Sequence, residues 1–146
     1  MGNSNGSKFK NYLSLVKFSH TIFAMPFALI GLFLAYKTTP SNFSWQLLVL
    51  VILCMVFARN AAMSFNRLVD RYIDKKNPRT AEREIPKGVI TTKSALLFII
   101  LNSALFIVTT WFINNLVFYL SPVALSVILL YSFTKRWTIL CHLVLG

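Results

Sequence analysis

Four apolar runs, each close to twenty residues long, dominate this 146-residue chain. They cover about 18–36, 45–65, 95–112 and 116–133. A helix needs about 20 apolar residues to cross about 30 Å of hydrocarbon. None of the runs alternates with a period of two, which argues against a membrane β-barrel. The chain is therefore predicted to be all-α, a multi-pass transmembrane helical bundle. Pro26 and Pro122 fall inside the first and fourth runs. Such prolines are tolerated where neighbouring helices satisfy the carbonyls they free. Trp45, Trp111 and Trp137 stand near the predicted interfaces, where amphipathic rings concentrate. A further apolar run begins at Thr138 and stops at Gly146. As a helix it would reach only about 13 Å. The expected architecture is four complete helices plus the start of a truncated fifth.

Charge orients the bundle. The chain holds 15 Lys and Arg against 4 Asp and Glu, a net charge of +11. In a soluble protein that balance would suggest nucleic acid. Here the cations lie between spans, so lipid headgroups or a phosphorylated substrate fit better, and nucleic acid is set aside as a partner. All the cations except Lys37 fall on one predicted side. The positive-inside rule makes that side cytoplasmic, and the chain is expected in the cell (inner) membrane. The N-terminus and a loop of about 66–93 share it. Met1–Ser7 is polar and expected to fray. No small-residue cleavage site follows the first run, so it is not a signal peptide. Gly6 stands where myristoylation needs Ser or Thr. Cys54 and Cys141 lie in apolar stretches and form neither a disulfide framework nor a metal-ligand spacing. His142 reads as structural, and His20 as an interfacial residue near the basic side.

One stretch carries chemistry. Asn66, Asp70 and Asp74 are spaced i, i+4, i+8. Each step of four turns a helix by about 40° and rises about 6 Å, so the three form one polar stripe. Arg59, seven residues before Asn66, falls within about 20° of the same line. An ionisable residue inside a span is a functional candidate by default. Two carboxylates one turn apart with an amide make a hard-oxygen site suited to Mg2+ shared with phosphate oxygens. Arg67, Arg71, Lys75, Lys76, Arg79 and Arg83 surround it, and arginine grips phosphate bidentately. The plainer reading is a solvated basic loop with incidental acids, and spacing alone leaves both open.

Asn66-x-x-x-Asp70-Arg71-x-x-Asp74 resembles the first aspartate-rich motif of the UbiA superfamily of intramembrane aromatic prenyltransferases. Arg59 stands where that family has an arginine ahead of the motif. Arg79-Thr80-Ala81-Glu82-Arg83-Glu84-Ile85-Pro86-Lys87-Gly88 is similar to its R-T-x-x-R-P-L-x-x-G loop. Tyr131-Ser132-Phe133-Thr134-Lys135-Arg136 is similar to its Y-x-x-x-K-R signature. The elements run from 59 to 136 in the family's order, and their combination is specific. Two departures stand out. Many members carry Asp where this chain has Arg67, and many carry Pro where it has Glu84. The version around Phe65–Arg71 resembles a 4-hydroxybenzoate polyprenyltransferase-like subgroup that includes naphthoate-prenylating enzymes of menaquinone synthesis.

The resemblance implies that 1–146 is the N-terminal part of a single UbiA-type domain. It implies transfer of a polyprenyl group from a polyprenyl diphosphate to an aromatic acid acceptor, in ubiquinone or menaquinone biosynthesis. Asn66, Asp70 and Asp74 are then the Mg2+ ligands, with Asp70 and Asp74 catalytic. Arg59, Arg71, Arg79, Arg83, Tyr131 and Lys135 are the substrate-binding candidates. It also implies a second aspartate-rich motif, and no acidic residue follows Glu84. The 146-residue chain alone is thus expected to be inactive. CDP-alcohol phosphotransfer is disfavoured because no Asp-Gly pair occurs. A membrane transporter fragment or a lipid-binding module with a basic loop explains the charge but not the stripe.

Overall fold

The computed structural model describes residues 4–38 and 44–137, with the side chains of 10–17, 21–38 and 44–133. Five helices follow one another: α1 (Ser4–Leu15), α2 (Phe18–Thr38), α3 (Trp45–Lys76), α4 (Thr92–Trp111) and α5 (Asn115–Trp137). No strand occurs among the described residues. The predicted all-α bundle holds, and α2 to α5 are each long and apolar enough to cross a membrane. The predicted start of a fifth span, with His142 and Cys141, lies outside the described residues.

Two boundaries differ from the sequence reading. The polar N-terminus is helical from Ser4 onwards. Leu15 explains why: it is fully buried against Leu68, Ile85, Ile90, Ala95 and Ile99, and Tyr12 packs on the same cluster. Tertiary burial thus holds a short helix that propensity alone would leave marginal. The predicted loop of 66–93 is also shorter than expected, because α3 continues through the charged segment to Lys76. Polarity marks where hydrocarbon ends, not where a helix ends. With 32 residues, α3 is about 48 Å long.

Side chains fix the ends of the helices. Ser44 caps α3 by accepting from the Leu47 amide at 3.3 Å, while its own amide donates to the Tyr36 hydroxyl at 2.9 Å. Thr91 caps α4 in the same way through the Ser94 amide. Gly88 has φ +79, the left-handed region that glycine enters without strain. Inside α5, Pro122 has no N–H and frees the Phe118 carbonyl four residues back. The buried Ser121 hydroxyl donates to that carbonyl at 2.8 Å. The expected donor is a neighbouring helix; the structure corrects this, since the hydroxyl comes from α5 itself.

Helix α3 is the centre of the bundle, touching α1, α2, α4 and α5. Ala61, Phe106 and Leu125 form a buried cluster joining α3, α4 and α5. Nearby, Asn60 Nδ2 donates to Asn102 Oδ1 at 3.1 Å, linking α3 to α4 inside the apolar spans. Most large apolar side chains face outward, among them Phe23, Phe27, Leu97, Tyr119 and Val123. That pattern suits lipid rather than water as the surrounding solvent. Trp45 begins α3 and Trp111 ends α4, and both are exposed at the same end of the bundle.

Candidate functional site

The site lies at the opposite end, where α3 emerges and the 77–91 loop folds back. Asn66, Asp70 and Asp74 all lie on the continuous helix α3, so the predicted stripe is real at the backbone level. Asp70 and Asp74 are only 9% and 6% exposed. Carboxylates at that depth require charged or hydrogen-bonding partners. For Asp74 the partner is Arg83, whose Nη1 lies 2.9 and 2.8 Å from the two carboxylate oxygens.

The loop is built to bring Arg83 there. Asn77 ends α3 in an extended conformation. Its carbonyl accepts from the amides of Thr80 and Ala81, and its Oδ1 accepts from the Arg79 amide at 3.0 Å. The Thr80 hydroxyl reaches back to the Asp74 carbonyl at 3.0 Å. A further turn runs from Arg83 to Gly88, and Ile85 and Ile90 anchor it in the cluster around Leu15.

A second ion pair stabilises the same loop. Arg67 donates to Glu84 Oε2, and the Ser14 hydroxyl of α1 donates to Glu84 Oε1. Arg67 is 6% exposed. The two residues that depart from the family pattern therefore satisfy each other, and sequence reasoning missed their partnership. Around them opens a cleft of about 490 Å³ lined by Lys17, Arg67, Asn77, Arg79, Thr80 and Arg83, with Glu82 and Glu84. Lys17, also missed, follows α1 and has φ 45, an uncommon backbone state for a side chain other than glycine. Arg67 and Arg83 have carboxylate partners here. Neither Lys17 nor Arg79 makes a described ion pair.

The remaining candidates divide. Arg71 does not line this cleft. Its guanidinium donates to the Leu68 carbonyl at 2.8 Å and lies 4.3 Å from the Tyr72 ring centroid. Arg59 lies on α3 about two turns before Asn66, and its Nε is buried without a hydrogen-bond partner. Tyr131 is half-buried near the end of α5. The Phe65 and Phe133 rings meet edge to face with centroids 5.7 Å apart, which draws this end of α5 to the start of the stripe. Lys135 lies on α5, while its side chain, like that of His20, lies outside the described ones.

The sequence model of the UbiA prenyltransferase family matches residues 24–146. The chain belongs to the UbiA prenyltransferase family. A 4-hydroxybenzoate octaprenyltransferase from Vesicomyosocius okutanii is 39% identical over 116 residues, covering 80% of this chain and 41% of that protein. One from Marinomonas sp. is 33% identical over 143 residues, covering 96% and 49%. Among solved structures, a UbiA homolog from Aeropyrum pernix K1 matches with a TM-score of 0.79 and 34% identity, over 88% of this chain and 45% of that one. The chain thus spans less than half the length of these UbiA relatives.

Proposed function

We propose that this chain supplies the diphosphate-handling part of an enzyme that transfers a polyprenyl group from a polyprenyl diphosphate to an aromatic acid. Two nine-tenths-buried carboxylates on one helix, beside a cation-lined cleft at the mouth of apolar spans, are the observation that carries this reading. The names of the UbiA relatives favour 4-hydroxybenzoate as the acceptor and ubiquinone synthesis as the setting. A naphthoate acceptor and menaquinone synthesis remain the competing assignment. The basic end faces the cytoplasm of the inner membrane in this reading.

Mg2+ is part of the proposal. The donor chemistry fits: Asn66, Asp70 and Asp74 offer one amide and two carboxylates, all hard oxygens. Among the described residues no group of three acidic, His or Cys side chains could hold a metal, so further ligands would have to come from outside this set, as water and substrate oxygens do at Mg2+ sites. When bound, the ion offsets negative charge on the departing diphosphate.

The chain's own residues do the rest. Arg79 and Lys17 present unpaired cations to the phosphate oxygens, and Arg83 is shared between them and Asp74. As the allylic C–O bond breaks, its electron pair leaves with the diphosphate, and fixed cations stabilise that charge selectively. The acceptor's ring carbon then bonds to the prenyl carbon and the ring loses a proton. Arg59, with an orphaned buried Nε, takes the acceptor's carboxylate. Tyr131 and Lys135, both on α5, are the remaining substrate-binding candidates. A lipid-binding module would need the basic cleft but does not account for the register of Asn66, Asp70 and Asp74 with Arg59 on α3.

The test is an assay of membranes from cells expressing the whole gene. They are supplied with a polyprenyl diphosphate, 4-hydroxybenzoate or a hydroxynaphthoate, and Mg2+. Prenylated 4-hydroxybenzoate that disappears with EDTA and returns with Mg2+ is the expected result. No prenylated product from either acid would overturn the reading.

A further inference from the structure

Glu84 holds three segments together with one side chain. Its two oxygens take different donors: Arg67 from α3 on Oε2 and Ser14 from α1 on Oε1. Its backbone carbonyl accepts from the Ile90 amide at 3.0 Å and closes the loop before α4. The next residue, Ile85, is buried beside Leu15 and Leu68. The preceding residue, Arg83, is the one that touches Asp74. Glu84 therefore stands between an apolar anchor and the cation nearest the stripe.

The side chains of Arg67 and Glu84 are 7% and 14% exposed. A pair at that depth persists only when both charges are satisfied, and losing one partner leaves the other uncompensated. Ser14 completes the set, because it gives the second carboxylate oxygen a donor from a helix outside the membrane-crossing bundle. We infer that Glu84 is a positioning residue: bridging Arg67 and Ser14, it fixes the loop that presents Arg79 and Arg83 and so sets how well the cleft binds a diphosphate. This rests on the prenyl-transfer reading.

Simple electrostatics predicts the opposite effect, which makes the inference testable. Removing a negative charge from a cation-lined cleft should tighten its hold on an anion. If Glu84 acts by positioning, its loss loosens that hold. In the complete protein, Glu84→Ala should raise KM for the polyprenyl diphosphate about tenfold, the scale of one lost charge-assisted hydrogen bond. The kcat should stay within about twofold, since the group does not touch the reacting atoms. Ser14→Ala should raise KM less. The exchanged pair Arg67→Glu with Glu84→Arg should recover most of the loss, because the bridge is rebuilt with its charges swapped.

A second readout needs no turnover. Inorganic pyrophosphate should protect the 77–91 loop from trypsin in the unaltered protein and in the exchanged pair, but not in Glu84→Ala. If the unaltered protein transfers no prenyl group, the functional reading fails, yet this protection still decides the role of Glu84. A KM that falls or stays constant in Glu84→Ala, or undiminished pyrophosphate protection, overturns the inference. So does an exchanged pair no better than the single variants.

Discussion

One nitrogen of Arg83 lies against both carboxylate oxygens of Asp74, at 2.9 and 2.8 Å. The loop thus provides a cation to the carboxylate that ends the stripe. In the proposed reaction Asp74 would be one of the residues that hold Mg2+, and Arg83 lies beside it at the diphosphate cleft.

Asp70→Ala and Asp74→Ala should each lower prenyl transfer by on the order of 100-fold or more, because each would remove a carboxylate proposed to hold the Mg2+ that offsets the diphosphate charge. Lys76→Ala, exposed and off the stripe, should matter little. Membrane fractions with matched protein levels make the comparison. Near-normal turnover in both aspartate variants would remove the mechanistic basis of the reading.

Topology gives a prediction independent of chemistry. Lys76 ends α3, and Asn114 lies in the turn between α4 and α5 at the other end of the bundle. Single cysteines at the two positions, in a background without Cys54 and Cys141, should label from opposite sides of intact cells. Only the Asn114 probe should react with an impermeant reagent added outside. Reaction at position 76 alone would invert the orientation.

The repair of the Pro122 break should appear as a double-mutant coupling. Ser121→Ala leaves the Phe118 carbonyl without its donor and should cost about 1 kcal/mol. In a Pro122→Ala background the restored backbone bond satisfies that carbonyl, so the same substitution should cost clearly less. Unfolding in detergent measures both. Equal costs would mean that the hydroxyl does not serve the freed carbonyl.

Asn60 and Asn102 supply a second coupling. Replacing either by Leu should destabilise by roughly 1 kcal/mol, the scale of a hydrogen bond between membrane helices. Replacing both should cost less than the sum of the single changes, because no buried amide is then left behind. Strict additivity would show that the 3.1 Å contact contributes nothing.

The spans and the stripe were legible because both follow from periodicity. Long apolar runs can be read directly, and a spacing of four places Asn66, Asp70 and Asp74 on one helical face. What stayed hidden depends on contacts between distant residues. The helical state of Ser4–Leu15 comes from burying Leu15 against residues more than fifty positions away. Arg67 and Glu84 read as two separate departures, since no spacing rule joins residues seventeen apart across a turn. Lys17 gave no signal, because its role depends on a backbone turn and on where α1 docks. Among the predicted cations the structure separates Arg79 and Arg83, which line the cleft, from Arg71, which lies back over its own helix.

The length of α3 has a consequence for how a ligand arrives. Counting from Trp45, Asn66 stands about 32 Å along the axis and Asp74 about 12 Å farther, against a hydrocarbon thickness of about 30 Å. With Trp45 at one edge of the hydrocarbon and α3 along the bilayer normal, the stripe would begin at the level of the lipid phosphates, the level at which an amphiphile with an apolar tail already carries its charged head. In the proposed reaction such a molecule would reach the stripe by sliding within its own leaflet. The encounter is a search over a surface rather than through a volume, and its rate follows the number of molecules per unit area of membrane.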